Sequence, residues 1–411
     1  MSDRAGKEPK PVNNLRASSK VERPVSPFRL GLRRLTRGRM AMLGLVTLGV
    51  LYFCALFADF LAPYSFDNQA RALSYCPPNL RFVDAAGHFH PRPFVYRRGY
   101  AFDENTGKRV WHEDRTKRYP ISLFVRGDKH RLLWLVPTTI RLFGAGEAVP
   151  DTGQPLPSGT IVQRAPGPST PAPPRVYLIG ATDQGEDVFS RLLYGARISM
   201  TVGLVGSAIT FILGMLVGGI SGYYGGIVDT GIQRLCEMMM MIPGFYLMLA
   251  LRAAMPPNMS STRIYIFVVA ILSFIGWAGF ARVIRGIVLS IRNKEYVTAA
   301  RAAGVRSLTI ITRHVLPNTL SYAIISVTLG IPGYIIGESA LSLLGLGIMP
   351  PQASWGNMLS AAMNISEIQF HPWVLVPGAL IFIAVMSFNL VGDGLRDAFD
   401  PQGLTRKAAR P

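Results

Sequence analysis

Residues Arg292 to Asn318 read RNKEYVTAARAAGVRSLTIITRHVLPN, a polar, basic island between two apolar runs that are each long enough to cross a bilayer. Seven cations (Arg282, Arg285, Arg292, Lys294, Arg301, Arg306 and Arg313) face a single acid, Glu295. Short loops this rich in Lys and Arg stay on the cytoplasmic side. From Glu295 to Ala303 the stretch has good helix formers and neither Gly nor Pro, which predicts a short helix. Gly304 is placed to end it in the left-handed conformation. A second short helix, Ser307 to Val315, is expected to stop before Pro317. The loop therefore reads as a helix–Gly–helix hairpin beneath a membrane.

Five runs outward from this island contain no Asp, Glu, Lys or Arg: Met40–Ala58, Ile198–Gly222, Ile264–Ala281, Val315–Gly337 and Trp373–Gly392. Each approaches the roughly 20 residues that span the hydrocarbon core. With 49% hydrophobic residues in 411, the pattern is that of a polytopic membrane protein. A sixth run, Met238–Leu251, is shorter and is interrupted by Arg252 and Pro256-Pro257. Counting it as a span keeps the 282–314 loop inside and places both termini in the cytoplasm. The fold expected is all-α with six transmembrane helices, and a β-rich extracytoplasmic insert between the first two.

The net charge of +19 invites a nucleic-acid reading, but no recognition module accompanies it. Eleven of the cations lie in residues 1–39, where they hold the N-terminus inside and meet anionic lipid. Phe28–Arg39 either lies along the inner membrane surface or serves only as a basic flank. The cysteines, Cys54, Cys76 and Cys236, are too dispersed for an intrachain pair or a zinc site. The first apolar run is followed by Asp59 and Pro63 and reads as a retained anchor. The chain divides into a basic tail (1–39), a first span (40–62), an insert (63–197), a permeation core (198–392) that includes the loop 285–317, and a cytoplasmic tail (393–411).

Within the insert, turn signals at Ala86-Gly87, Arg98-Gly99, Thr106-Gly107 and Gly127-Asp128 separate aromatic and β-branched residues, predicting short strands. Pro150–Pro174 reads as a proline-rich tether. His88 and His90 would share one face of a strand, but no third ligand is placed beside them, so no metal site is assigned. Pro332-Gly333 falls inside the fifth long run, and Glu338 lies a turn or two beyond. A break and an acid at membrane depth make Pro332, Gly333 and Glu338 pore candidates. The other reading of Glu338 is a hydrogen bond to a neighbouring helix or contact with the outer interface. The sequence has no G-x-x-x-x-G-K-[ST], G-x-S-x-G, H-E-x-x-H or C-x-x-C. No catalytic residue is assigned, and any driving energy is expected from another subunit.

The island resembles the coupling loop of importer-type ABC permeases, whose pattern is Glu-Ala-Ala, three residues, Gly, nine residues, Ile, any residue, Leu-Pro. Here it reads Thr298-Ala299-Ala300, Gly304, His314, Leu316 and Pro317, with Thr for the Glu and His for the Ile, and with Glu295 one turn earlier. Thr182–Arg197, Gly337–Ser342 with Leu344-Gly345-Leu346-Gly347, Pro350-Pro351 and Ser354-Trp355-Gly356, and Asn389–Asp397 with Asp400-Pro401 resemble dipeptide, oligopeptide and nickel permeases of the dipeptide-permease C type. That resemblance covers about 40–70 and 177–402. It implies a type I ABC importer fold in the inner membrane, moving di- or oligopeptides, with nickel as the alternative cargo. It also implies a homologous second permease, two ATPase subunits holding ATP-Mg, and an extracytoplasmic peptide-binding protein, with no cofactor on this chain. The insert would contact that binding protein or cover the pore mouth. A membrane-anchored extracytoplasmic sensor is the reading from a different class.

Overall fold

The computed structural model describes residues 31, 33–104, 109–133, 135–157, 160–162, 174–256 and 259–399. The expectations for the tail over residues 1–27, the Thr106-Gly107 turn and Asp400-Pro401 lie outside these residues. Five helical stretches are long and apolar enough to cross a membrane: Arg39–Leu56 (α1), Val188–Tyr224 (α3), Ser261–Ile291 (α6), Ser307–Leu343 and Pro372–Phe399. Between the second and third, Gly226–Met241 (α4) and Gly244–Ala253 (α5) meet at a 74° bend. The pair is either one broken span or a re-entrant loop, which makes five spans or six. The bend falls at Ile242-Pro243, where proline disfavours a continued helix in the residue before it.

Helix α3 is the axis of the bundle. Gly214, Gly218 and Gly222 recur every four residues and face Phe280, Ala281, Ile284 and Val288 of α6, so closely that a Cβ at any of them would meet side-chain or backbone atoms. Small residues at this spacing let helix backbones approach where lipid supplies no hydrophobic drive. On another side, Met200 of α3, Leu48 of α1, Ile331 and Ile335 of Leu320–Leu343 (α9), and Phe388 of Val376–Phe399 (α10) form one buried cluster. Met40, Leu43, Val46, Val50 and Phe53 of α1 remain exposed, as expected of a lipid-facing side. Helix α9 runs through Pro332 without interruption, so the expected break at Pro332-Gly333 does not occur there.

After a short helix, Ala58–Leu61 (α2), the chain enters the insert, an antiparallel sheet of six strands. Strands Arg81–Val83 (β1), Phe89–Phe102 (β2), Arg109–Leu132 (β3) and Val136–Ala145 (β4) pair in that order. Val149–Pro150 (β5) joins β3, and Ile161–Val162 (β6) joins β2. The strands are longer than expected. Gly87, at φ +91°, makes the predicted reversal between β1 and β2. Gly99 and Gly127, however, sit inside strands, and the β3–β4 register shifts between Arg126 and His130 without reversing the chain. Glycine in such a strand marks an irregularity as readily as a turn. Within the proline-rich stretch, Pro150 and Ile161–Val162 join the sheet through β5 and β6.

The insert is tied to its base by a buried arginine. Arg98 donates from Nη2 to Glu113 Oε1 at 2.7 Å and from Nη1 to the Pro77 and Pro78 carbonyls at 2.9 and 3.2 Å. Charged hydrogen bonds of this kind contribute about 1.5–3 kcal/mol. Arg98→Ala is expected to free the 76–79 segment and to speed protease cleavage of the insert by at least about tenfold at that cost. Digestion of the membrane-embedded protein, followed by mass mapping, checks it, and cleavage between the helices should stay unchanged.

Candidate functional site

The hairpin is built from two layers. Its inner layer, Val297, Ile310, Ile311, Val315 and Leu316, is buried against Met215 and Tyr223 of α3 and Ile284, Val288 and Ile291 of α6. Its outer layer, with Glu295, Tyr296, Thr298, Ala299, Ala302, Ala303 and Gly304, is exposed. Glu295–Ala302 (α7) forms as predicted. Gly304, at φ +76°, donates its N–H to Arg301 O at 3.0 Å, and Val305 N–H reaches Ala300 O at 3.1 Å. This double closure is the Schellman C-cap, which favours glycine at the left-handed position. Ala300 and Val305 then pack into the inner layer.

The second half differs from expectation. Ser307–Ile310 (α8) widens into a π turn over Ile311–Val315, tightens over Leu316–Thr319, and continues into α9. Pro317 does not stop the chain, because it lies at the start of that tight turn, where a missing N–H leaves no bond unmade. Thr298, in the place of the family glutamate, donates its hydroxyl to Lys294 O at 2.9 Å and stays exposed. His314 is half-buried, and its carbonyl accepts from Asn318 Nδ2 at 2.7 Å. Arg301 stacks over the Tyr223 ring at 5.3 Å, fastening α7 to the end of α3.

Behind the hairpin lies a polar cluster that sequence reading missed. Asp229 of α4 accepts from Arg285 Nε and Nη2 of α6 at 2.7 and 2.5 Å, and from Ser221 Oγ of α3 at 2.5 Å. Arg292 donates to Gly222 O at 3.4 Å. Three helices thus converge on one carboxylate.

The pore candidates fall in different places. A 440 Å³ cavity opens between α3, α5, α6 and α9, with Thr210, Gly276, Gly330, Gly333 and Tyr334 in its wall. Thr210 Oγ1 and Tyr334 Oη are 2.5 Å apart. Gly333 lines this cavity, whereas Pro332 is buried in α9. Glu338 is fully enclosed, accepting from Ser199 Oγ of α3 at 3.0 Å and Ser342 Oγ at 2.7 Å. That is the arrangement of the reading in which it bonds a neighbouring helix. In the insert, His90 Nε2 lies 2.8 Å from Asp84 Oδ2 with the Arg118 guanidinium beside its ring. Among the described residues, no group of three or more His, Cys, Asp or Glu gathers to hold a metal.

Residues 212–402 match the family described as binding-protein-dependent transport system inner membrane component, and residues 26–78 match the N-terminal TM domain of oligopeptide transport permease C. The dipeptide transport system permease protein DppC of Bacillus subtilis is 39% identical over 227 residues, covering 55% of this chain and 69% of that protein. The oligopeptide transport system permease protein OppC of the same organism is 34% identical over 231 residues, 56% of this chain and 73% of that one. The glutathione transport system permease protein GsiD of Pectobacterium atrosepticum is 37% identical over 230 residues, 56% and 74%. The chain belongs to this permease family. It is a multi-pass inner-membrane permease, and both family matches leave residues 79–211 between them.

In the permease, the Thr182–Arg197 segment builds the rim from which α3 descends. Glu186 is held by Thr182 Oγ1 at 3.0 Å and by Arg191 Nη1 at 2.7 Å. Asp187 caps α3, accepting the Ser190 N–H at 2.8 Å and its hydroxyl at 2.6 Å on one oxygen, while the other oxygen has no hydrogen-bond partner. Burial pushes the Asp187 carboxyl up to about 6, outweighing the cap bonds. A carboxyl raised on folding stabilises the fold fully below its unfolded value, near 3.9, and loses that contribution as pH rises through the folded value. Asp187→Asn keeps a good cap and removes the ionisation. The expected result is a thermal midpoint that exceeds that of the unsubstituted protein at pH 8 and matches it at pH 4. The shift is worth up to about 3 kcal/mol, and melting scans in nanodiscs at the two pH values check it.

Proposed function

We propose that this permease is one membrane-spanning half of an ATP-driven importer of di- or oligopeptides, working in six spans with both termini in the cytoplasm. A homologous second permease completes the pore, and two ATPase subunits supply ATP-Mg. A peptide-binding protein delivers cargo from outside. The names of the relatives (dipeptide, oligopeptide and glutathione permeases) support peptides over nickel. This chain itself takes no cofactor in that scheme.

The observation that carries the reading is the hairpin's two-layer construction. Five apolar residues lock its back to α3 and α6, while Ala299, Ala302, Ala303 and Gly304 present a face with little side-chain bulk. A groove on an ATPase subunit can approach such a face closely. When ATP closes that subunit pair, the hairpin moves as a body, and α9, continuous with it, moves too. An extracytoplasmic sensor would have no use for a preformed inner face of this kind.

No heavy atom lies within 4 Å of a Cβ at Gly304, so substitution there alters the outer face without disturbing the core. The left-handed conformation alone costs an L-residue about 1–2 kcal/mol. Gly304→Glu is expected to reach the membrane in normal amount and to lower ATP-driven peptide uptake by about tenfold or more. Gly304→Asn, which tolerates the conformation, is expected to keep most of it. Uptake of a labelled dipeptide into proteoliposomes decides the matter, and full transport by the Glu variant would overturn the coupling role.

A further inference from the structure

On the extracytoplasmic side, a 470 Å³ cavity opens where the base of the insert meets the loop before the last span. Such a volume falls within the range of small-ligand sites. Its walls come from two distant parts of the chain, Tyr75, Arg109 and Trp111 on one side and Glu367, His371 and Trp373 on the other. The rings are fixed before any ligand arrives. Tyr75 stacks on His371 at 4.1 Å with the planes within 4°, His371 lies 5.2 Å from Trp373, and Trp373 Nε1 donates to Ala181 O at 3.0 Å. Trp111 is held edge-on to Tyr100 at 5.7 Å.

Two buried acceptors on this wall lack hydrogen-bond partners, Glu367 Oε2 and His371 Nδ1. His371 Nε2 faces Glu367 Oε2 at 3.8 Å, so a neutral imidazole protonated at Nε2 leaves Nδ1 as an acceptor. Burial, with Arg109 adding to it and Glu367 and a backbone hydrogen bond with Phe370 opposing, pushes the His371 imidazole below its ordinary value. Across the cavity Arg109 spends Nη1 on Ser74 O at 3.1 Å and lies over the Tyr100 ring at 4.8 Å. Its fork keeps further donors for an anion or a carbonyl. One end of the cavity thus asks for a multiple N–H donor among aromatic faces, and the other for a carboxylate or carbonyl.

We infer that this cavity binds the ammonium-bearing end of a peptide, with the ammonium between Glu367, His371 and the indole faces and the peptide's carbonyl or carboxylate toward Arg109. An ammonium pairs with the Glu367 carboxylate and is drawn to the ring faces. The inference rests on the peptide reading above and adds a subsite for it, at the outer face and half built by the insert. A zwitterionic lipid headgroup shares the ammonium-and-anion chemistry, so the test separates the two.

The full-length chain, in nanodiscs with its accompanying membrane subunits and washed free of extracytoplasmic proteins, would carry fluorotryptophan, its Trp111 and Trp373 signals assigned by Trp→Phe variants. Alanylphenylalanine is expected to shift both resonances saturably, while N-acetyl-alanylphenylalanine and glycerophosphoethanolamine leave them in place. Glu367→Gln is expected to weaken the dipeptide response by about tenfold or more, a partner lost to a charged donor. The inference is overturned by an equal response to the acetylated peptide, by a response to the headgroup alone, by no response up to millimolar dipeptide, or by an unchanged response in Glu367→Gln. The acetylated probe acts on the unsubstituted protein, so its outcome holds even where the variant misfolds. Binding here needs no ATP, so a failure with the Gly304 result intact removes the subsite and leaves the transport reading standing.

Discussion

The close approach of α3 to α6 sets the geometry of everything else. Inside a bilayer the hydrophobic effect does not press helices together, so van der Waals contact at short range and polar pairs must do it. Gly214, Gly218 and Gly222 provide the short range against Phe280–Val288. With 37 residues, α3 rises about 55 Å. That exceeds the roughly 30 Å hydrocarbon core, so both of its ends reach polar surroundings. Both halves are pinned by hydroxyls and a carboxylate: Ser199 donates to Glu338 in the N-terminal half of α3, and Ser221 donates to Asp229, itself paired with Arg285, at the C-terminal end.

This arrangement explains why two buried acids are tolerated. A carboxylate withdrawn from water is costly unless every lone pair finds a donor. Glu338 receives hydroxyls from α3 and its own helix, and the same hydroxyls pass the connection on, Ser342 to Ile348 N–H and Ser199 to Trp355 N–H, each by an acceptor lone pair. The loop after α9 is thereby bound to α3. Meanwhile α9 begins, without a break in helical backbone, at the hairpin on the opposite face. A displacement of the hairpin has a covalent path into α9, whose far end is tied to the axis helix at a single acid. Pro332 within that path removes one backbone bond without interrupting it.

The parts of this design that were legible in the sequence are those with a local cause. Runs without charge gave the spans, and Gly304, which readily takes the left-handed conformation, gave the hairpin's C-cap. Long-range causes were not legible. Pro317 reads as a terminator when taken with its neighbours alone, yet a π turn ahead of it shifts the hydrogen-bond register and makes it a starting residue. Gly99 and Gly127 read as turns, yet Gly99 is paired on both sides, with His112 and Val162, and Gly127 sits at the register shift of β3 without reversing the chain. Glu338 was visible as an acid at depth, but its serine partners come from 139 residues upstream as well as from the next turn. Asp229 carried the one available signal for the inner cluster, a lone acid in a glycine-rich segment facing a basic loop.

The insert's excess of arginine also has a structural cause, beyond the rule that long loops escape topological sorting. Between α1 and β1 the chain runs without strand partners for its carbonyls, and each buried carbonyl needs a donor. Arginine supplies several donors from one planar group. Arg197 reaches Ala55 O and Leu56 O, Arg141 reaches Ala62 O, and Arg191 reaches Phe66 O. Arg175 reaches Asn68 O, Arg109 reaches Ser74 O, and Arg98 reaches Pro77 O and Pro78 O. In sequence order, these carbonyls between 55 and 78 are taken up by guanidinium groups from the sheet, from Arg175 and from the head of α3. The guanidinium groups of these six arginines are directed inward, onto the backbone of an irregular segment. Because those arginines come from both the sheet and the first turns of α3, the segment they hold is the seam that joins the two, and the aromatic cavity at Tyr75 lies on that seam.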